Sequence, residues 1–546
     1  MSVTEEKTTP KWFKDAVVYQ IYPRSFLDTN GDGIGDLNGI TEKLDYLNDG
    51  TPNSLGIDAI WITPLYPSPQ YDFGYDVMDY RGVDPQYGTM EDFDRLLREA
   101  HKRGIRIIMD MVPNHTSHLH PWFLESRSSK DNPKRDWYIW RPRPKGRKYP
   151  NNWLGIFGGR AWEWDNKTKE YYYHTSVPEQ PDLNWRNPQV REAILSDMAF
   201  WLDKGVDGYR LDVINWTMKD KELKDNPHCI GRRPYDMQRH LYDKDQQEAV
   251  DVAKAMRELT DRYKDKILVG EVALDHSDPR EAARYLGENG DGLHATFNFS
   301  FTYSRFGAER FKAEVSAWEE AVGKRGWPTY VLSNHDEIRH ISRYAKGRWT
   351  IPRARVLAAM LLTLRGTPFL YYGEEIGMRN LWPKRSEILD PLGKRYWPFH
   401  PGRDGERTPM QWNGSKNAGF STGEPWLRVH PNFRKINVDI QDKDPNSLLN
   451  LYRRLIWIRK ENSALREGSY KEYPNSPTGI FSFFRQTHEQ HLFTALNFTK
   501  ERKSFTIDQA NAGKAKIIFS EPEFGTKSLD AKGFEIPPYG ILILEM

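Results

Sequence analysis

The sequence repeats one unit along most of its length, a short apolar run followed by a stretch with helical spacing. We count eight such runs, and they occupy residues 17–22, 57–63, 105–112, 206–211, 267–271, 293–299, 330–336 and 369–373. Runs that are largely apolar, without alternation, predict parallel strands that are buried on both faces. Eight parallel strands that alternate with helices are typical of a (β/α)8 TIM barrel, so we predict an α/β fold of this kind.

Two segments depart from this rhythm. Residues 114–185 are rich in Trp, Tyr, Pro and Gly and are too long for a simple loop, which predicts an inserted subdomain after strand 3. From residue 468 onward apolar residues alternate with polar ones, which predicts a C-terminal antiparallel β-sandwich. We therefore expect a barrel domain (1–113 and 186–467), the inserted subdomain (114–185) and a C-terminal β domain (468–546).

Composition excludes several classes of function. The net charge is only +3 with both signs interspersed, so we expect neither a nucleic-acid nor a membrane partner. The single Cys229 excludes an internal disulfide and fits a reducing compartment. The charged N-terminus has no apolar signal-peptide core, and no apolar stretch is long enough to span a bilayer. We expect a cytoplasmic protein, a monomer or a weak homodimer.

Polar residues follow five of the predicted strands. Since the C-terminal ends of barrel strands meet at one face, we expect these side chains to converge there. Isolated buried carboxylates are costly, so the group needs mutual contacts or a polar ligand. Its members are Asp72, Asp110 with His115, Arg210 with Asp212, Glu271, and His335 with Asp336.

Three converging carboxylates without a Cys/His metal set suit glycoside hydrolysis. Arg210 and Asp212 are two residues apart and point the same way on a strand, so Arg210 should keep Asp212 ionised as the nucleophile. Glu271 follows an apolar run and is the better candidate for a raised pKa, that of an acid. Asp336 would hold sugar hydroxyls, and Asp110 would organise Arg210. Taken alone, the Arg210–Asp212 pair is more simply a structural ion pair.

Residues 28–36 form a pattern of oxygen side chains at alternate positions with glycines between them. The pattern matches the front half of a calcium-binding loop, although Gly39 stands where a bidentate Glu is expected. We expect a structural Ca²⁺ or Mg²⁺ ion and no organic cofactor; the alternative is an Asx-rich turn without metal. The predicted ligands are Asp28, Asn30, Asp32, the Ile34 carbonyl and Asp36.

Several motifs resemble those of the α-amylase superfamily (glycoside hydrolase family 13), and within it the oligo-1,6-glucosidase/α-glucosidase group. They lie at 110–115, 180–184, 208–212, 270–272, 334–336 and 407–412. The resemblance implies a retaining double displacement, with Asp212 as nucleophile, Glu271 as acid/base and Asp336 as transition-state stabiliser. It also implies a metal loop at 28–36.

The resemblance further implies a closed pocket for one glucose unit. Asp72 paired with Arg407 would grip the terminal sugar and Tyr75 would stack below it. The remaining implied contacts are His115 and His335 on hydroxyls, Phe157 and Gln180 on the wall, and Arg210 and Val213 beside the nucleophile.

Three features leave the bond preference open. Val213 resembles enzymes that prefer α-1,6 bonds, whereas residues 219–227 look like relatives that act on α-1,4 bonds and transfer glucose. After Asp336 comes Glu337-Ile338-Arg339 where many relatives look like Gln-Pro-Arg. The wall beyond the cleavage point therefore cannot be assigned from the motifs.

We expect an exo-acting α-glucosidase that releases glucose from the non-reducing ends of short isomalto- and malto-oligosaccharides, with sucrose as a further candidate. One alternative is a transglucosidase or a sucrose/maltose isomerase that uses the same glucosyl-enzyme intermediate. The other is a non-catalytic partner subunit like the heavy chains of amino-acid transporters. Those proteins lack a full carboxylate set, which this sequence has.

Overall fold

The computed structural model describes residues 9–272, 278–507, 514–523, 526 and 528–546. The first part of the chain contains three strands, β1 (Val18–Ile21), β2 (Ala59–Ile62) and β3 (Arg106–Met111). Its helices are α1 (Lys11–Asp15), α2 (Leu37–Glu42), α3 (Leu44–Leu47) and α4 (Met90–Lys102). Every residue of β1 and β2 is buried, as their apolar runs predict.

Thr89 and Asp92 begin α4 as a capping box, in which each side chain accepts the other residue's backbone N–H. Helices α2 and α3 follow one another with one residue between them. They are separated at Lys43, whose φ and ψ of −100° and 8° interrupt the helix.

The inserted segment contains a helix and a small sheet. They are α5 (Pro121–Ser126), β4 (Trp140–Arg141), β5 (Trp162–Asp165) and β6 (Glu170–Tyr173). The strands pair antiparallel in the order β4-β6-β5, over a core that includes Trp153 and Trp162. Aromatic burial therefore explains much of the Trp and Tyr content of this segment. Helix α5 is absent from the prediction because six residues are too few to show a helical period.

The barrel resumes with α6 (Pro188–Lys204), β7 (Gly208–Leu211), α7 (Glu248–Thr260) and β8 (Ile267–Gly270). It continues with α8 (Pro279–Arg284), β9 (Ala295–Thr296), α9 (Phe299–Tyr303), α10 (Ala308–Val322) and β10 (Thr329–Val331). The last part contains α11 (His340–Arg343), α12 (Thr350–Thr363), β11 (Thr367–Tyr371), α13 (Pro391–Tyr396), α14 (Val438–Asp442), α15 (Leu448–Glu461) and α16 (Ser463–Glu467).

Eight strands form one parallel sheet in the order β10-β11-β1-β2-β3-β7-β8-β9. The predicted barrel is confirmed as a nearly closed one. Strand β9 is shorter than the predicted 293–299 because the Asn298 side chain accepts the Phe301 N–H and begins α9. Across the gap between β9 and β10, the Thr329 hydroxyl donates to the Thr296 carbonyl at 2.8 Å.

The C-terminal part is antiparallel, as predicted. Its strands are β12 (Ser469–Glu472), β13 (Ile480–Gln486), β14 (His491–Asn497), β15 (Lys503–Phe505), β16 (Lys514–Glu521), β17 (Ser528–Asp530), β18 (Phe534–Ile536) and β19 (Ile541–Glu545). Six of them form one sheet in the order β12-β13-β14-β19-β16-β17, and β15 pairs with β18. The domain boundaries themselves stay predictions. Among the described residues, no helix combines the length and apolarity that a membrane span requires.

Candidate active site

The C-terminal ends of β3, β7 and β8 lie side by side in the barrel. Register pairs Asp110 of β3 with Arg210 of β7, and Leu211 of β7 with Gly270 of β8. Asp212 and Glu271 follow directly after these strands, so the sheet itself brings their side chains to one face. This is the face at which the strand-end pattern predicted a site.

The Arg210 guanidinium is the centre of this cluster. It is 2% exposed, and its Nη1 donates to Asp110 Oδ1 at 2.7 Å and to Asp212 Oδ1 at 2.8 Å. Its Nη2 donates to Glu271 Oε2. Since Asp212 and Glu271 contact the same guanidinium, their carboxyl groups lie close together. Their proximity is compatible with the separation of about 5 Å that a retaining glycosidase needs.

The pKa values of Asp212 and Asp110 in this cluster are raised, which the sequence did not predict for Asp212. Burial raises the pKa of Asp212 well above its usual range; Arg210 opposes this, and Glu271 and Asp110 add to it. Burial likewise raises the pKa of Asp110 to about 6. Arg210 therefore offsets the effect of burial on Asp212 only in part, because one guanidinium is shared by three carboxylates. The titration of neighbouring carboxyls such as these belongs to the group rather than to one residue.

Asp336 lies in a different electrostatic environment. Burial would raise its pKa, but the nearby charges of His335, Arg403 and Arg407 outweigh burial and lower the pKa below its usual range. Arg407 Nη2 donates to Asp336 Oδ1 at 2.7 Å and Arg403 Nη1 at 3.1 Å. Asp336 is therefore the carboxylate whose surroundings favour the ionised form, in contrast to Asp212 and Asp110.

The predicted pairing of Asp72 with Arg407 is corrected by the structure. Asp72 Oδ1 accepts from Arg403 Nη2 at 2.6 Å, whereas Arg407 directs its guanidinium to Asp336 and to the His335 carbonyl. Arg403 also donates through Nε to the fully buried Asp390 at 2.8 Å.

Arg403 and Asp390 are the site residues that sequence reasoning missed. Both lie between β11 and α14, where the sequence has no strand-end pattern. The only available signal was that a buried Asp72 needs a cation, and several arginines could supply it.

The other predicted binding residues surround Asp72 and His335. Gln180 Nε2 donates to Asp72 Oδ2 at 3.2 Å and lies 3.2 Å from His115 Nε2. Phe157 lies under the Arg403 guanidinium, 4.7 Å from it. The Tyr75 ring lies beside the His335 ring and nearly parallel to it, with centroids 5.4 Å apart, and the Tyr75 hydroxyl is 2.7 Å from His335 Nε2. The predicted stacking of Tyr75 on sugar stays a prediction.

Val213 turns the chain directly after Asp212. Its φ of 34° lies in the left-handed region, which is strained for a β-branched residue. The Val213 N–H lies 3.3 Å from Glu271 Oε2. The strained turn therefore links the backbone beside Asp212 to the side chain of Glu271.

The loop at 28–36 folds as a series of Asx turns. Asp28 accepts the N–H groups of Asn30, Gly31 and Gly33, and the Asp36 side chain caps α2 through the Gly39 N–H. Carboxylate, amide and carbonyl oxygens are ligands that suit Ca²⁺ or Mg²⁺. Among the described residues, however, no three His, Cys, Asp or Glu side chains are arranged so that they could hold a metal ion. The oxygen atoms of the loop fit a Ca²⁺ or Mg²⁺ ion if the Asn30 amide oxygen and the Ile34 carbonyl oxygen are among its ligands.

A cavity of about 1360 Å³ opens from the carboxylates toward solvent. Its lining includes Glu271, Asp336, Arg403, Tyr303, Glu337 and Phe399. A volume of this size holds more than one sugar ring, so the site has room for a bond between two sugars.

Comparison with known proteins agrees with this geometry. Residues 20–468 match the family described as Alpha amylase, catalytic domain. The chain is 43% identical over 501 residues to a probable alpha-glucosidase of Rhizobium meliloti (strain 1021), covering 90% of each chain. It is 40% identical over 537 residues to an oligo-1,6-glucosidase of Parageobacillus thermoglucosidasius, covering 93% of this chain and 94% of that protein.

Two solved structures share the fold across the whole chain. One is the alpha-glucosyl transfer enzyme XgtA, with a TM-score of 0.90 and 38% identity, covering 98% of this chain and 100% of that one. The other is an isomaltulose synthase mutant from Erwinia rhapontici NX5 in complex with sucrose, with a TM-score of 0.87, 35% identity, and coverage of 98% and 99%. The chain therefore belongs to the α-amylase family and is a glycoside hydrolase of the α-glucosidase and oligo-1,6-glucosidase type.

Proposed function

We propose that this protein is a retaining, exo-acting α-glucosidase that releases glucose from the non-reducing ends of short α-glucosides. The observation that carries the proposal is the sharing of Arg210 by Asp212 and Glu271. It brings a candidate nucleophile and a candidate acid close together, as a retaining mechanism requires. Malto- and isomalto-oligosaccharides are the proposed substrates, and sucrose is a further candidate.

The first chemical step forms a glucosyl-enzyme. An Asp212 carboxylate oxygen attacks the anomeric carbon while the glycosidic C–O bond breaks, and the leaving oxygen takes a proton from Glu271. In the second step water attacks the same carbon, gives its proton to Glu271, and the ester bond to Asp212 breaks. Asp336, held ionised by Arg403 and Arg407, hydrogen-bonds sugar hydroxyls and tightens as the ring flattens.

Exo action is supported by a group of fixed polar side chains beside Asp336. Arg403 contacts both Asp336 and Asp72, Gln180 donates to Asp72, and His115 contacts Gln180. Polar groups that are held in this way can grip the hydroxyls of one terminal glucose.

Substitution of the two reacting carboxyls tests this proposal. We expect Asp212→Ala and Glu271→Gln each to lower the hydrolysis of maltose by at least about a thousandfold, since the first removes the nucleophile and the second the transferable proton. The measurement is glucose release, with circular dichroism to verify folding. Glu320→Gln, at an exposed site on α10, should keep wild-type activity. Near-normal turnover in either active-site variant would contradict the assigned roles.

A transglucosidase or a sucrose isomerase is the second candidate, because the similar structures include a glucosyl transfer enzyme and an isomaltulose synthase. In both cases a sugar hydroxyl would replace water in the second step. Chromatography of the products formed from concentrated maltose, isomaltose and sucrose separates the candidates. Free monosaccharides alone support the hydrolase, whereas new disaccharides support transfer or isomerisation.

A further inference from the structure

Strand β1 contains an amide side chain among buried apolar residues. Gln20 is 1% exposed, and Val18 and Ile21 of the same strand are fully buried. Burying an amide costs free energy unless its groups find partners. Among the described residues, Gln20 Oε1 has no hydrogen-bond partner. Packing alone therefore does not explain why this position holds a glutamine, and a buried polar group of this kind calls for another reason.

The partner of the Gln20 amide nitrogen is a residue of the active site. Gln20 Nε2 lies 2.7 Å from His335 Nδ1. On the other side of the ring, His335 Nε2 lies 2.7 Å from the Tyr75 hydroxyl and 3.1 Å from Asp336 Oδ2. Both nitrogens of this buried imidazole are therefore engaged, Nδ1 by β1 and Nε2 by the site.

The two neighbours of His335 Nε2 require a proton on that nitrogen. The surroundings of Asp336 favour its ionised form, and a carboxylate oxygen can only accept a hydrogen bond. The Tyr75 hydroxyl donates to Asp110 Oδ2 at 3.0 Å, so its oxygen is left to accept from His335. Both contacts are therefore satisfied when Nε2 carries the hydrogen.

The His335 ring has only one proton to place. Burial outweighs the opposing effect of Asp336 and lowers the pKa of His335 well below its usual value, so the imidazole is neutral. A neutral imidazole has one N–H and one acceptor nitrogen. With the proton on Nε2, Nδ1 is the acceptor, and the N–H of the Gln20 amide is the donor that faces it.

The same hydrogen bonds continue toward the candidate nucleophile. Asp110, which accepts from Tyr75, also accepts from Arg210 Nη1 at 2.7 Å, and this Nη1 donates to Asp212 Oδ1 at 2.8 Å. If the His335 ring turned, Tyr75 would lose the donor that faces its oxygen. Since linked hydrogen bonds polarise one another, the hold on Nδ1 bears on the carboxyl group of Asp212.

We propose that Gln20 is a positioning residue of this active site. Its amide N–H holds His335 Nδ1, so that the Nε2–H is directed at Asp336 and Tyr75. Gln20 acts only through His335. This inference rests on the proposed function, and it deepens that function by giving a role to a strand residue that lies outside the motifs.

Gln20→Met tests the proposal, because methionine has a similar length and no amide. The substitution removes an unpaired oxygen but leaves His335 Nδ1 unpaired, so the two effects on stability offset each other and the melting temperature should change by less than about 2 °C. We expect kcat/KM for p-nitrophenyl α-glucoside to fall about tenfold, the effect of about one hydrogen bond. A lower melting temperature with wild-type kcat/KM would indicate a purely structural role and would overturn the proposal.

Neutron diffraction from deuterium-exchanged crystals gives a readout that does not depend on activity. In the wild-type protein we expect deuterium on His335 Nε2 and none on Nδ1, with a deuterium of the Gln20 amide facing Nδ1. Deuterium on Nδ1 would overturn the proposal. In Gln20→Met the His335 ring should be turned or displaced, and an unmoved ring together with wild-type kinetics would also overturn it.

Tyr19→Phe is the matched control on the same strand. Adjacent side chains on a strand point to opposite faces, and the Tyr19 hydroxyl donates to Glu375 at 2.8 Å instead of to the site. This variant should lower the melting temperature and leave kcat/KM and the His335 proton unchanged. If the wild-type protein cleaves no α-glucoside, the proposed function itself fails, whereas the deuterium positions still decide whether Gln20 holds His335.

Discussion

Arg210 contacts carboxylates that follow three different strands, and this one side chain decides much of the site's electrostatics. Its relation to Asp212 could be predicted, because residues two apart on a strand point to the same face. Its contact with Glu271, 61 positions later in the chain, depends on β7 and β8 being neighbours in the sheet. Arg403 makes the corresponding link between Asp72, Asp336 and Asp390 on the other side of the cavity.

Arg403→Ala should weaken both substrate binding and folding. The substitution leaves Asp72 and Asp390 buried without their cation, and breaking a buried pair in this way costs about 3–5 kcal/mol. We expect a lower melting temperature and a KM for maltose raised at least about tenfold. Calorimetry and initial-rate kinetics measure the two effects. Arg428→Ala, which removes an exposed ion pair with Glu387, serves as the control and should change little. Wild-type kcat/KM in Arg403→Ala would contradict the role of Arg403.

At the scale of elements, the side chains at the ends of strands and helices form the site and fix where the elements stop. The apolar runs predicted the strands well, because a strand buried on both faces must be apolar throughout. Short elements were less predictable: β9 has two residues, because the cap at Asn298 starts α9 early. The turn after β11 places Glu375 in the interior, where Tyr19 and Tyr46 donate to it at 2.8 and 2.7 Å.

Glu375 should make stability depend on pH. Burial raises its pKa to about 7, above the ordinary value of 4.5, so the folded state binds this proton more tightly than the unfolded state does. The stabilisation from this group is then fully present below about pH 4.5 and is lost as the pH rises through about 7. We expect the melting temperature of Glu375→Gln, relative to wild type, to increase from pH 5 to pH 8. Exposed Glu91→Gln should show no such trend, and a constant difference for Glu375→Gln would refute the shift.

The loop at 28–36 gives a second prediction at this scale. We propose that it holds a structural Ca²⁺ or Mg²⁺, which would stabilise the folded state by mass action. Chelation should then lower the melting temperature of the wild-type protein, and added Ca²⁺ should restore it. Asp32→Ala should remove this response, because it deletes one of the proposed ligands, whereas Glu320→Ala should retain it. A melting temperature that responds to neither chelator nor Ca²⁺ would favour the metal-free Asx turn.

At the scale of the whole molecule, strands β13 and β14 in the middle of the C-terminal sheet are buried on both faces. Alternate residues of β13 divide between two cores: Phe481 and Phe483 pack with the barrel, and Ile480 and Phe484 pack with the strands of the smaller sheet. Arg485, itself fully buried, donates to the Thr363 carbonyl at the end of α12 at 2.8 Å. The barrel and the C-terminal domain therefore share one core.

Phe483→Ala should destabilise the entire protein. Removing a buried Phe side chain costs about 3–5 kcal/mol, and because Phe483 lies in the core shared with the barrel, the loss should not be confined to the C-terminal domain. Calorimetry should show one transition at a lower temperature, with activity lost in the same range. Trp382→Ala, at a 65% exposed position, should shift the transition much less. A separate early transition that leaves activity intact would contradict a shared core.

The family's enzyme relatives across nearly the whole chain leave the non-catalytic alternative without support. What the sequence by itself determined was the set of elements and the acids at their ends, since hydrophobic period and strand-end polarity are local properties. What only the tertiary structure decided was partnership: that Asp72 pairs with Arg403 rather than Arg407, and that one guanidinium serves three carboxylates. The physical reason is that Coulomb interactions and burial depend on distances in space, which side chains far apart along the chain acquire only when the barrel closes.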